Sequence, residues 1–217
     1  MYLYTTTPLS KPALRRELKR RRAAVPPDER ARAAAIASEI LFAEPCWRTA
    51  SVVHLYSSFG DEFPTDALRR AAFAGGKRAF APVTPPDAAP RLLHVEVFPD
   101  TQFVPDAFGI PTPVPTDVPL RGGAPLTLDE LLSVVAPDVV IAPLLGFDAA
   151  LQRVGYGKGY YDRFLAELRN RELPKPPLIV GVAFYAAQFW DAPLPAEAHD
   201  QPLDCVITER GVSSKWL

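Results

Sequence analysis

Apolar residues fall along this chain in two alternating patterns. Short β-branched or alternating runs occupy residues 50–56, 77–82, 92–98, 139–142, 178–183 and 205–208, and predict strands. Between them lie stretches that read as helices. The first, to about residue 24, starts at Ser10-Lys11-Pro12, a capping hydroxyl with proline in the first turn, and carries Leu14 and Leu18 on one stripe. The second follows Pro26-Pro27 and runs through residue 42, with Asp28 and Glu29 at its positive end. A third is expected over 66–74, capped by Thr65 and stopped by Gly75-Gly76. Short and longer helices are expected over 126–135 and 157–170. Strands alternating with helices predict an α/β fold: an open, mostly parallel sheet with helices on both faces. Ligands of such sheets bind beyond the carboxyl ends of the strands.

Proline sharpens this picture. The chain has 25 prolines in 217 residues, about twice the usual share. Each fixes φ and removes a backbone donor, which excludes a helical bundle, a coiled coil or a helical repeat. Thirteen of them fall between residues 82 and 143, so residues 99–125 are expected to be mostly ordered loop. A 48% apolar and 23% charged composition excludes disorder. One domain spanning 1–217 is expected, with a proline-rich loop region at about 82–125.

The net charge of −1 gives no global field for nucleic acid or a membrane. Residues 11–32 nevertheless hold nine Lys/Arg against three Asp/Glu. Arg16, Lys19, Arg20, Arg21 and Arg22 read as a solvated face, whereas Lys11 and Arg15, four apart, share a helix side. No apolar run reaches membrane-spanning length and no secretory signal is visible. Cys46 and Cys205 lack CxxC spacing, so a reducing cytoplasm is the simplest setting. His54 and His94 sit inside apolar strands and read as packed core histidines.

The chemistry concentrates in one segment: Pro143-Leu144-Leu145-Gly146-Phe147-Asp148, then Arg153-Val154-Gly155-Tyr156-Gly157-Lys158-Gly159-Tyr160-Tyr161-Asp162. Three of the twelve glycines fall within five residues, between an apolar strand and a helix. Alternating glycines let backbone approach a ligand, and their N–H groups with a helix N-terminus form an anion site. Arg153 and Lys158 add positive charge. The segment is neither a Walker loop nor G-x-G-x-x-G. Such a G-x-G-x-G also serves as a structural turn; the strand before it, the two cations and the trailing Tyr-Tyr-Asp favour phosphate.

At this segment the chain resembles the 5-formyltetrahydrofolate cyclo-ligases, or methenyltetrahydrofolate synthetases. The likeness extends in order through Lys11-Pro12-Ala13-Leu14-Arg15, residues 57–65, Gly76-Lys77 to Pro82, Gly109-Ile110-Pro111-Thr112-Pro113, the glycine loop, and Gly181-Val182-Ala183-Phe184, Gln188 and His199-Asp200-Gln201-Pro202-Leu203-Asp204. The resemblance implies a sheet of the NagB/RpiA/CoA-transferase-like kind. It also implies ATP-dependent closure of 5-formyltetrahydrofolate to 5,10-methenyltetrahydrofolate, with ADP and phosphate released. A formyl amide is a poor electrophile with a poor leaving group. Phosphorylating its oxygen solves both problems, and catalysis becomes phosphoryl transfer by positioning and charge neutralisation.

Residue by residue, the resemblance implies that Lys11, Arg15 and the loop Arg153, Val154, Gly155, Tyr156, Gly157, Lys158, Gly159, Tyr160 and Tyr161 hold ATP. Lys158 is the cation nearest the transferred group, with Arg153 second and Tyr160 beside the reacting atoms. Ser57, Glu62, Phe108, Tyr156 and Tyr160 match positions that meet the folate. Asp162 and Asp200 match positions associated with a Mg2+ ion, a hard cation that oxygen ligands suit. From sequence alone, Asp162 serves equally as a helix-dipole partner and Asp200 as a loop carboxylate. Tyr156 stands where some family members carry arginine. The expected protein is a monomer whose partners are these two small molecules, not nucleic acid or a membrane. The alternative is a diverged nucleotide- or folate-binding protein without ring closure.

Overall fold

The computed structural model describes residues 9–85, 91–107, 109–114 and 124–215. Three N-terminal helices, α1 (Lys11–Ala23), α2 (Pro27–Ala43) and α3 (Pro45–Thr49), precede β1 (Val52–Leu55), α4 (Asp66–Ala74), β2 (Arg78–Val83) and β3 (Leu93–Val97). A small hairpin, β4 (Phe103–Pro105) with β5 (Pro111–Pro113), lies in the proline-rich segment. Then come α5 (Leu128–Val134), β6 (Val139–Ala142), β7 (Gly146–Phe147), β8 (Arg153–Val154), α6 (Tyr160–Arg169), β9 (Leu178–Val182), α7 (Tyr185–Gln188), β10 (Cys205–Thr208) and β11 (Gly211–Ser214).

Seven strands form one sheet in the order β11-β10-β9-β6-β1-β2-β3. Five neighbours, β10 to β2, pair in parallel, and β11 and β3 add antiparallel edges. The parallel strands of such a sheet are buried on both faces, which is why 52–55, 139–142 and 205–208 are buried at every position and mainly apolar. Their side chains still alternate. Val53, Leu55, Val139 and Ile141 pack with Ala37, Leu41 and Leu68 of α2 and α4. Val52, Val140 and Ala142 pack on the other face with Leu128 and Leu131 of α5 and Phe164, Leu165 and Leu168 of α6.

Helix α1 joins neither layer. Leu14 and Leu18, 1% and 0% exposed, dock on Leu145, Val154 and Leu194 beyond the carboxyl ends of the strands. Two fully buried leucines contribute roughly 2 kcal/mol each, enough to fix an otherwise highly charged helix. The approach is close: a Cβ on Gly146 would stand 2.7 Å from the Leu18 side chain and 2.9 Å from the Gln188 carbonyl oxygen.

Several boundaries differ from the sequence expectation. Ser10 and Thr65 precede their helices but make no side-chain cap; the Thr65 hydroxyl instead donates to the Tyr56 carbonyl at 2.7 Å. The helix expected from residue 157 begins at Tyr160, because Gly157 and Gly159 have φ of 92° and 74°, outside the helical region. Residues 205–208 are not the last strand, since β11 pairs back on β10. Leu126, expected in α5, forms a bridge with His94.

Candidate active site

Chain order and spatial order together locate the site. After β1 the chain moves outward to β2, then returns to the other side of β1 to place β6, β9 and β10. The direction of winding therefore reverses between β1 and β6, and the loops leaving these two strands diverge into a crevice. A cavity of about 300 Å³ lies there. Tyr56, Ser57, Phe59 and Glu62, which follow β1, line one wall; Pro143 and the segment from Arg153 to Asp162 line another. Asp106, Ile110 and Thr112 of the proline-rich segment close it.

The glycine loop reaches this cavity because two residues adopt left-handed backbone. Gly157 and Gly159 supply it without Cβ strain. Gly157 has a second constraint: a Cβ there would stand 3.0 Å from the Arg15 guanidinium carbon. Arg15 Nε donates to the Gly155 carbonyl at 3.0 Å, which ties α1 to the loop. Gly159 precedes α6 without a side-chain cap, so the first-turn N–H groups keep their capacity for an acceptor. Lys158 is exposed beside them.

Two ion pairs flank the loop. Arg153, 7% exposed, donates to Asp162 Oδ1 at 2.7 Å, to the Gln201 carbonyl at 3.2 Å and to the Pro143 carbonyl at 3.4 Å. Burial pulls its guanidinium below the ordinary value, and the Asp162 charge opposes that. Lys11 Nζ lies 2.6 Å from Asp200 Oδ2 and 3.0 Å from Glu197 Oε1. Burial disfavours the Lys11 charge, but these bonds outweigh it and raise the ammonium. For Asp200, burial is likewise outweighed by Lys11 and the Glu197 amide, and the carboxyl is lowered. The Gln201 amide donates to Asp162 Oδ1 at 3.2 Å, so the segment carrying Asp200 is fastened to the start of α6. No group of three or more His, Cys, Asp or Glu able to hold a metal occurs among the described residues.

Behind the Glu62 wall lies a charged network. Tyr156 donates its hydroxyl proton to Glu62 Oε1 at 2.5 Å, and Arg22 Nη2 donates to that hydroxyl at 2.7 Å and to Asp61 Oδ1 at 2.8 Å. The Phe59 amide donates to Glu62 Oε2 at 3.1 Å. Burial raises the Glu62 carboxyl above its ordinary value against the pull of these donors. Ser57 Oγ and Tyr161 Oη are buried on the same cavity and have no hydrogen-bond partner among the described residues.

The structure thus brings Ser57, Glu62, Arg153, Gly155, Tyr156, Gly157, Lys158, Gly159, Tyr160, Tyr161 and Asp162 to one cavity. Lys11 and Arg15 lie off the wall but reach the Asp200 segment and the loop. Val154 also lies off it, packed under α1 with its carbonyl accepting from Leu145 at 2.7 Å. Phe108 falls outside the described residues. Arg22 corrects the sequence reading: it is 2% exposed, not part of a solvated face. Its signal was the spacing, since 14, 18 and 22 form one i, i+4 stripe.

Against known proteins, the model described as the 5-formyltetrahydrofolate cyclo-ligase family matches residues 8–209. The chain belongs to that family. It is 31% identical over 156 residues to the 5-formyltetrahydrofolate cyclo-ligase of Haemophilus influenzae, covering 72% of this chain and 74% of the relative. It is 29% identical over 191 residues to the Escherichia coli K12 cyclo-ligase, covering 88% and 96%. Among solved structures, the 5,10-methenyltetrahydrofolate synthetase of Aquifex aeolicus superposes with a TM-score of 0.73 at 26% identity, over 95% of this chain and 93% of that one. A Mycoplasma pneumoniae synthetase shares the fold, with a TM-score of 0.64 at 20% identity. No helix among the described residues is long and apolar enough to cross a membrane.

Proposed function

We propose that this chain catalyses the ATP- and Mg2+-dependent closure of 5-formyltetrahydrofolate to 5,10-methenyltetrahydrofolate, as a cytoplasmic monomer. The observation that carries this reading is the cavity at the winding reversal. It joins a glycine loop and an uncapped helix N-terminus to a buried carboxylate and two hydroxyls without a partner among the described residues. The first half suits a phosphate chain, the second a heterocycle with N–H and carbonyl groups. Family membership supplies the reaction.

In this reading the loop amides and Lys158 hold the γ-phosphoryl group in line with the formyl oxygen. The new P–O bond forms as the bond to ADP breaks. Nitrogen 10 then attacks the activated carbon, and phosphate departs with the former formyl oxygen, taking up the proton that nitrogen 10 loses. Positioning and charge neutralisation do most of the catalysis. Lys11 and Arg15 would approach the phosphates from α1. Arg153 holds Asp162 and the Asp200 segment in register. Tyr160 and Ser57 would meet the folate, and Tyr156 would do so through its ring.

Two carboxylates with phosphate oxygens and water suit Mg2+, which is commonly held that way and not by an all-protein cage. Asp162 and Asp200 would be its protein ligands, and the ion would supply charge neutralisation on the phosphates. Each carboxylate is paired with a cation, Asp162 with Arg153 and Asp200 with Lys11, and Mg2+ would share or replace those contacts.

The test is direct. Purified protein is mixed with 5-formyltetrahydrofolate and Mg2+, with and without ATP, and methenyl product is followed by absorbance. ATP-dependent product is expected. Folate or nucleotide binding without product would overturn the enzyme reading in favour of a binding protein.

A further inference from the structure

Arg22 is the least expected participant at this site. It comes from the last turn of α1, its side chain is 3% exposed, and it does not line the cavity. Burying a guanidinium is costly unless its donors are used. Here Nη1 and Nη2 go to the Leu144 carbonyl, Asp61 and the Tyr156 hydroxyl, while the buried Nε has no partner among the described residues. A guanidinium has no acceptor, so the Tyr156 oxygen must accept from it. The single phenolic proton is then forced to the other neighbour, Glu62 Oε1. With the Phe59 amide on Oε2, the carboxylate receives one bond on each oxygen and keeps a lone pair on each. Those are the lone pairs that a ligand in the cavity can use.

We propose that Arg22 is a positioning residue for the cavity carboxylate: through the Tyr156 hydroxyl it fixes Glu62 as a charged acceptor for N–H groups of the bound heterocycle. This rests on the function proposed above for the identity of the ligand, but the arrangement of charge does not. Without Arg22 the Tyr156 proton is free to rotate, and a buried carboxylate with one donor fewer takes up a proton and loses one acceptor. The charged and titratable groups around Glu62 are Arg22 and Lys19 from α1, Asp61 beside it, Tyr56 after β1, Tyr156 on the glycine loop and Tyr161 on α6. Of these, Tyr156 bonds to it directly, and Arg22 and then Asp61 follow along the same hydrogen-bond path.

The experiment reads the Glu62 carboxyl itself, by 13C NMR titration of ligand-free protein with the signal assigned through Glu62→Gln. Tyr156→Phe and Arg22→Met should each raise the titration midpoint by about one pH unit, and Arg22→Lys should recover part of it. In turnover assays the same variants should raise the KM for 5-formyltetrahydrofolate about tenfold on the acidic side of the pH profile, with the KM for ATP unchanged in Arg22→Met. Should Arg22→Met fail to fold by near-UV circular dichroism, Tyr156→Phe and Arg22→Lys decide. A midpoint unmoved in Tyr156→Phe overturns the proposal. A shifted midpoint in a protein that forms no methenyl product would remove the enzyme reading and leave the positioning role standing.

Discussion

Two clusters of buried polar side chains sit in this molecule, and they do opposite things. His54 and His94 lie within the sheet, both 0% exposed, with His54 Nε2 and His94 Nδ1 3.0 Å apart and the Phe164 ring against both. Burial pushes both imidazoles down, His94 to about 4, so the pair is neutral near pH 7. The Arg22–Tyr156–Glu62–Asp61 cluster buries Arg22 and Glu62 but leaves Tyr156 and Asp61 half-buried; it is held by charged partners and abuts the cavity. Burial of a polar group therefore does not mark function here. What distinguishes the clusters is charge held by ion pairing and hydrogen bonds, at a wall a ligand can touch.

The largest expected effect tests the cavity end of that contrast. Lys158→Ala removes the exposed cation facing the same space and should lower turnover about 10²–10³-fold, with far-UV circular dichroism unchanged. Intact turnover would move the chemistry away from the glycine loop. Glu62→Gln keeps the shape of the wall but removes its charge, and should lower kcat/KM about a hundredfold. A loss no larger than that of a histidine substitution would erase the distinction.

The histidine end predicts stability effects without activity effects. His94→Leu leaves His54 Nε2 unpartnered and should cost about 1–3 kcal/mol in urea unfolding, with turnover per folded molecule unchanged. The double variant His54→Leu/His94→Leu removes both partners and should cost less than the single one.

Acid sharpens the same comparison, because the two clusters respond with opposite sign. The folded value of His94 lies below its ordinary 6.5, so the unfolded chain takes up the proton first. Its contribution is full above about 6.5 and falls as pH drops toward about 4, costing about 2 kcal/mol between pH 7 and 5. Glu62 is raised, so the folded chain takes up its proton first and its burial penalty is relieved as pH falls through the folded value. Urea unfolding at pH 7 and pH 5 should show the wild-type loss shrinking in the double-histidine variant.

Local signals in the sequence reached surprisingly different depths. The helices 11–23 and 66–74, the buried parallel strands and the position of the glycine loop were legible, because period, glycine and proline act through neighbouring residues. The resemblance brought Lys158, Glu62 and Asp162 to attention before their cavity was visible. Arg22 was not read correctly: five basic residues between 16 and 22 look solvated until the Leu14–Leu18 stripe is extended one more turn. Asp61 and Tyr56 gave no local sign, since their partners are Arg22 and Phe63 across a turn or a helix. The hairpin β4–β5 was hidden by prolines, which here occupy short edge-like strands where few ladder donors are needed.

Lys11 and Asp200 meet although 189 positions separate them in sequence. During synthesis a ribosome must pass residue 200 before that contact exists, and long-range closures form late. Helix α1, made first, has its docking surface supplied by Leu145, Val154 and finally Leu194. A product terminated before residue 200 would thus hold the glycine loop without its clasp, and under the proposed function it should bind ATP more weakly.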